Sequence, residues 1–143
     1  MGTLLGIATK EKTRAPMALH AALAVAARGL AGERAHPAAR AVTVLAQEAW
    51  QEACRELGDA LPWTLRRANL LVAGVGLAAC VGRRLRVGPV LLEVTEDNPP
   101  CRVMDVLHAG LGAALAPDGR AGVACRVIEP GELVVGAAVR FEG

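Results

Sequence analysis

The chain has 143 residues, the size of a single domain over 1–143, and its 53% hydrophobic content is enough to fill a core. A net charge of +2 and an aromatic content of 2% argue against a nucleic-acid partner, because neither a basic footprint nor base-stacking platforms are available. The uncharged stretch Asn69–Gly82 is too short to cross a bilayer, and apolar Gly2–Thr9 precedes its charges where a secretory signal would follow them, so the expectation is a cytoplasmic protein with no membrane partner.

In chain order, Thr3–Ala8 reads as a strand and Thr9–Arg14 as a polar loop. Pro16–Leu30 supports two readings. Its alanines favour helix, while Met17, Leu19, Ala21, Leu23 and Val25 alternate as in a strand. Gly29, Gly32 and Pro37 then break the chain. Ala41–Ala46 is a bounded β-branched run and reads as a strand. Gln47–Leu57 is the clearest helix, with Ala49, Trp50, Ala53, Cys54 and Leu57 on one face and Gly58 placed to end it. Asp59–Trp63 follows as a loop, and Thr64 is a candidate cap for a short turn carrying Arg66 and Arg67.

The second half is strand-rich. Asn69–Ala73, Arg84–Val87 and Pro89–Thr95 are expected strands, and consecutive prolines make Thr95–Pro100 a loop. Cys101–Leu115 has helical spacing, weakened by Gly110 and Gly112. Pro117-Asp118-Gly119 is a turn signal. Gly122–Ile128 and Leu133–Phe141 are expected strands joined by a turn at Glu129–Glu132. Many short strands with Gly/Pro turns predict a mainly β fold with a few helices, a closed or nearly closed barrel.

Among the residues able to carry chemistry, Cys101 stands apart. Cys54, Cys80 and Cys125 lie in apolar patterns and read as small buried hydrophobes. Their spacing fits neither a zinc or iron–sulfur site nor a disulfide framework. Cys101 follows Pro-Pro, opens an expected helix and adjoins Arg102, and both a helix start and a cation favour the thiolate that ligates soft metals or attacks sulfur. Packing beneath the loop is the competing reading. Arg66-Arg67 with Asn69 can clamp a phosphate or carboxylate, or form a solvated basic turn. Arg84 and Arg86, near Arg83, share a strand face that most simply meets solvent. Glu33, His36 and Arg40 form a weaker set for a polar ligand. The three histidines, His20, His36 and His108, are too dispersed for a local metal site.

Several segments resemble the stand-alone bacterial MOSC proteins, relatives of the C-terminal domain of molybdenum cofactor sulfurases. They are GxLxGIA at Gly2–Ala8, Gly29–Glu33, RxVTVL at Arg40–Leu45, PWTxRRANLLVxGVxL at Pro62–Leu77, LRVGxVLLEVT at Leu85–Thr95, PCRxMD at Pro100–Asp105 and PDGRxGVxCRV at Pro117–Val127. Their order and spacing cover nearly the full length. The resemblance implies a MOSC-type, pyruvate-kinase-like β-barrel. It implies that Cys101 either carries a persulfide or ligates molybdenum, and that Arg66, Arg67 and Asn69 lie near the phosphate-bearing part of the molybdenum cofactor (molybdopterin). Glu33, His36, Arg40 and Arg102 are expected to border the same pocket.

The implied functions are a molybdenum-dependent oxidoreductase of N-hydroxylated compounds fed by an electron-donor reductase, or a sulfur carrier supplied by a cysteine desulfurase. The alternative is a non-catalytic anion or cofactor carrier. Two departures bear on these roles. Gly32-Glu33 stands where the family often has Gly-Asp, and Gly136-Ala137 where Gly-Asp is common. The desulfurase domain of the fused sulfurases, which binds pyridoxal phosphate, has no counterpart here. Only Lys10 and Lys12 could form a Schiff base, both in a polar loop, so direct pyridoxal chemistry is not expected.

Overall fold

The structure is a computed structural model describing residues 1–10, 16–117 and 119–142. Most of the polar loop before Pro16, with Lys12, and the Asp118 position of the Pro-Asp-Gly turn lie outside the described residues.

Strand β1 spans Gly2–Thr9. The ambiguous segment after it resolves as strands β2 (Ala18–His20), β3 (Ala22–Ala26) and β4 (Gly29–Leu30). The segment is extended, not helical, but the alternating set does not share one buried face: Met17 and Val25 are buried, Leu23 is half-buried, and Leu19 and Ala21 are exposed. Strand β5 is Val42–Ala46 and helix α1 is Gln47–Leu57, ended by Gly58 in the left-handed region with its N–H on the carbonyls of Arg55 and Cys54. A 3-10 turn, Trp63–Arg66, follows with Pro62 at its start. Thr64 sits inside it, and no side chain caps it. The remaining elements are β6 (Leu70–Ala73), β7 (Arg84–Val87), β8 (Val90–Asp97), α2 (Arg102–Leu107), α3 (Leu111–Leu115), β9 (Val123–Glu129), β10 (Gly131–Val134) and β11 (Ala138–Glu142).

Seven strands close a barrel in the order β11-β7-β8-β9-β5-β6-β1, with β1 pairing back onto β11 through Gly2↔Val139 and Thr3↔Ala138. Closure leaves no open edge between these strands. Strand β2 extends the sheet beyond β1, and β10, β3 and β4 form a small separate sheet. All pairs in the ring are antiparallel except β5 with β6, the pair bridged by α1. The barrel interior is filled by branched side chains that include Leu4, Ile7, Val44, Leu70, Leu85, Leu92 and Val139. Full burial of each Leu or Ile contributes on the order of 1.5–3 kcal/mol.

A second apolar cluster lies outside the barrel, where α1, α2 and α3 pack around Trp50, Met104, Leu111 and Leu115. Gly6 lets this layer come close, since a Cβ there would sit 2.6 Å from the Trp63 ring. That contact seats the turn carrying Arg66 and Arg67 against β1.

Four expectations need correction. Strand β8 runs through Thr95 to Asp97 before the proline loop, its pairing with β9 shifting register between Val94 and Glu96. The single helix expected over Cys101–Leu115 is two, because His108 is extended and Gly110 adopts φ +85°, a conformation a helix interior does not contain. The strand expected over Leu133–Phe141 is split by a turn at Val135–Ala137, with β10 and β11 in different sheets. The turn expected at Glu129–Glu132 shrinks to Pro130, which passes the chain from β9 to β10. Among the described residues, no helix is long and apolar enough to cross a membrane.

Candidate functional site

Four chain segments meet at one cleft of about 430 Å3: the residue following β1, the approach to β5, the turn before β6 and the loop between β8 and α2. They bring Lys10, Arg40, Arg66, Arg67 and Cys101 to a common lining, with Thr43, Asn98 and Met104 beside them. No carboxylate is among these lining residues.

Arg66 is the most constrained of the four cations, at 6% exposure. Its Nε donates to the Ala121 carbonyl at 3.0 Å and its Nη2 to the Asn98 carbonyl at 2.5 Å, and Nη1 lies 4.0 Å from Met104 Sδ. Asn98 and Met104 bracket Cys101 in sequence, three residues to either side. The guanidinium therefore spans the segment that carries the thiol. Burial lowers the Arg66 pKa, the electrostatic interaction with Cys101 opposes that shift, and the Arg40 charge adds to it. Arg66 is thus a strut and a fixed positive charge beside Cys101, with part of its donor fork already committed.

Arg67 ends the same turn in the left-handed region at φ +63°, a conformation rare for a side chain of this size. The reversal places successive arginines in different roles, Arg66 buried in the cleft wall and Arg67 half-exposed on the cleft. Arg40 reaches the cleft from the other side. Its Nη1 donates to Glu96 Oε1 at 2.5 Å and its Nη2 to Asn98 Oδ1 at 2.7 Å.

Lys10 lines the cleft without a hydrogen bond or ion pair from its ammonium to any described residue. Burial lowers its pKa most strongly. Glu33 opposes the shift, and Arg67, Arg40 and Arg66 reinforce it. A cation held among three others is a position that an anion would relieve.

Glu33 and Asn69 lie just behind this lining. The Glu33 side chain is 2% exposed and accepts from the Lys10 backbone N–H at 2.6 Å and from Asn69 Nδ2 at 3.1 Å, and it pairs with His36 Nε2 at 2.8 Å. Asn69 also accepts from the Thr43 N–H at 3.0 Å and donates to the Ala8 carbonyl at 3.2 Å. These bonds brace the ends of β1, β5 and β6 and hold the backbone from which Lys10 and Thr43 reach the cleft. The extra methylene of Glu33 is accommodated within the brace.

Cys101 is exposed and occupies the position just before α2, without a side-chain capping bond. Arg102 is exposed and is not part of the cleft lining. The other cysteines follow their apolar patterns, Cys80 and Cys125 buried and Cys54 half-buried, and burial raises the pKa of both Cys80 and Cys125. All four are free thiols. Among the described residues, no group of three or more His, Cys, Asp or Glu side chains gathers to hold a metal ion.

Lys10 and Asn98 are cleft residues that no sequence motif marks. Lys10 read as part of a polar loop and Asn98 as part of a proline turn. The only signal was their position at the exits of two strands, where binding residues concentrate.

The chain's shape matches solved structures along its whole length. The YuaD protein from Bacillus subtilis aligns with a TM-score of 0.83 at 17% identity, covering 99% of this chain and 96% of that one. YiiM from Geobacillus stearothermophilus aligns at 0.82 and 17% identity, over 100% and 76%. YiiM from Escherichia coli aligns at 0.73 and 19% identity, over 99% and 70%. No curated protein sequence matches the chain. The MOSC domain model matches residues 27–140, a span that includes Glu33, Arg40, Arg66, Arg67 and Cys101, and the chain therefore belongs to the MOSC domain family.

Proposed function

We propose that the cleft binds the molybdenum cofactor, with its phosphate on Lys10, Arg40 and Arg67 and its metal or sulfur at Cys101. One observation carries this reading: a thiol and four cationic side chains line the same cleft, with no carboxylate among them. The donor set suits the ligand. Guanidinium and ammonium groups match a phosphate dianion, and a thiolate suits a soft metal. Arg66 holds the Cys101 segment and contributes fixed charge, while Glu33 and Asn69 keep the Lys10 and Thr43 backbones in place.

When bound, the cofactor supplies two-electron redox chemistry, with N-hydroxylated compounds as the substrate class and a separate reductase as electron source. The exposure of Cys101 favours a second reading. In it Cys101 accepts sulfane sulfur from a cysteine desulfurase in the cytoplasm and passes it to an acceptor, with the basic cleft gripping that acceptor's phosphate.

Elemental analysis of protein purified from a cofactor-producing host separates these readings. Near-stoichiometric molybdenum in the wild type that is lost in Cys101→Ala supports ligation. No metal, with a persulfide on Cys101 after incubation with a desulfurase and cysteine, supports sulfur carriage. Metal retained equally in Cys101→Ala contradicts both and leaves a carrier whose grip is on the phosphate alone.

A further inference from the structure

A second cavity of about 570 Å3 shares Asn98 and Pro99 with the basic cleft, so these two residues form a ridge between the two spaces. Pro100 lines the second cavity and its chain neighbour Cys101 lines the cleft. The ridge is held firmly. The Asn98 N–H donates to the Gly122 carbonyl at 3.0 Å, its carbonyl accepts from Arg66, and its side chain accepts from Arg40 at 2.7 Å. Pro99 and Pro100 restrict the rest.

The two spaces differ in charge. The cleft is lined by four cations and no carboxylate. The second cavity is walled by small residues such as Ala78, Ala79, Ala116 and Ala121, and Asp97 is the single charged residue among its described lining. Among the described residues, no hydrogen bond or ion pair engages the Asp97 carboxylate. Asp97 is exposed, and a small-walled cavity with a carboxylate that no described residue engages suits an apolar body bearing a positive charge.

The geometry points to this cavity as the subsite for the organic reaction partner of Cys101, and to an ammonium- or guanidinium-bearing compound as that partner. Asp97 holds its charged end, and its other end reaches across the Asn98–Pro99 ridge to the thiol. The assignment of the occupant as a reaction partner rests on the proposed function of the cleft. Its binding at Asp97 does not.

The test uses the isotope-labelled full chain and three probes followed by amide chemical shifts: phenylguanidinium, its neutral isostere phenylurea, and inorganic phosphate. Saturable shifts at Ala78, Ala79, Ala121 and Gly122 are expected with phenylguanidinium, and binding at least about tenfold weaker with phenylurea, the scale of one charge-assisted contact. Asp97→Asn is expected to remove that preference. Ala116→Leu, a change at an exposed position on the cavity wall, is expected to weaken both organic probes by filling space. Equal affinity for the two probes, or shifts that ignore both substitutions, overturns the subsite. Cation binding without a phosphate response at Lys10 and Arg67 sustains the subsite and removes the reading of the cleft. A phosphate response without cation binding does the reverse.

Discussion

Two arginine clusters in this chain look alike in sequence and are opposites in the fold. Arg83, Arg84 and Arg86 surround β7, and Arg66 and Arg67 end the turn before β6. Around β7 the charges are answered. Arg86 donates to Glu129 at 3.0 Å and to Glu142 at 3.0 Å, which raises its pKa, and Arg83 lies over the Phe141 ring at 4.1 Å. Arg84 is exposed on the same strand. At the cleft, Arg66 spends donors on carbonyl oxygens, which carry no charge, and no described residue pairs with the Lys10 ammonium. A pair of adjacent arginines therefore says little by itself. At the cleft the carboxylates of Glu96, on Arg40, and Glu33, behind Lys10, stand outside the lining, which is left cationic.

The largest expected effect concerns Arg66. Arg66→Met leaves the buried Asn98 and Ala121 carbonyls without their charged donor. A loss of about 2–3 kcal/mol of stability is expected by denaturant titration, because hydrogen bonds to charged groups are worth about 1.5–3 kcal/mol. A change below about 0.5 kcal/mol would show that the strut is not structural. Arg67→Ala sharpens the contrast from the other side. Inorganic phosphate affinity is expected to fall about tenfold or more by calorimetry. Unchanged affinity would remove Arg67 from the anion site.

Lys10 makes the contrast pH-dependent. Its pKa is held below 10.5 in the fold, chiefly by burial, and a bound anion favours the charged form. Phosphate binding should therefore be accompanied by proton uptake. Affinity should be complete below the lowered pKa and decline as pH rises through it, at lower pH than for an ordinary lysine. Lys10→Arg is expected to abolish that decline, and a profile identical in the wild type and the variant would contradict the placement. The smallest effect belongs to the paired cluster. Arg86→Ala is expected to leave the unfolding midpoint nearly unchanged and phosphate affinity unaltered, since exposed ion pairs contribute little.

Local patterns were legible where they agreed with the tertiary environment. Gln47–Leu57 follows helical spacing and is closed by Gly58, and the helix has those same bounds. The barrel could be read from short β-branched runs punctuated by glycine and proline. Legibility stopped where continuous apolar composition hides a change of partner. Val134 and Val139 belong to one valine-rich stretch, yet they lie in strands of different sheets separated by a turn with Gly136 at φ +100°.

The site was readable in its residue types and not in its division of labour. Cys101 and the arginine pair stood out, but nothing local says that Arg66 turns inward and Arg67 stays at the cleft. That depends on carbonyls 32 and 55 residues away in sequence. Asn69 has the chemistry of a ligand-binding amide, yet its hydrogen bonds run within the protein, to β1, β5 and Glu33. Lys10 escaped notice because its neighbours in the cleft are distant in sequence.

Cys101 shares its cleft with four cationic side chains and no lining carboxylate, and this arrangement puts a positive field at the thiol. The most direct measurement is the rate of Cys101 alkylation by anionic iodoacetate relative to neutral iodoacetamide, compared with the same ratio for free cysteine. The ratio is expected to be on the order of tenfold higher in the protein, to fall with added salt and to drop in Arg67→Ala, as a cationic cleft concentrates anions. A ratio equal to that of free cysteine at low salt would contradict the claim.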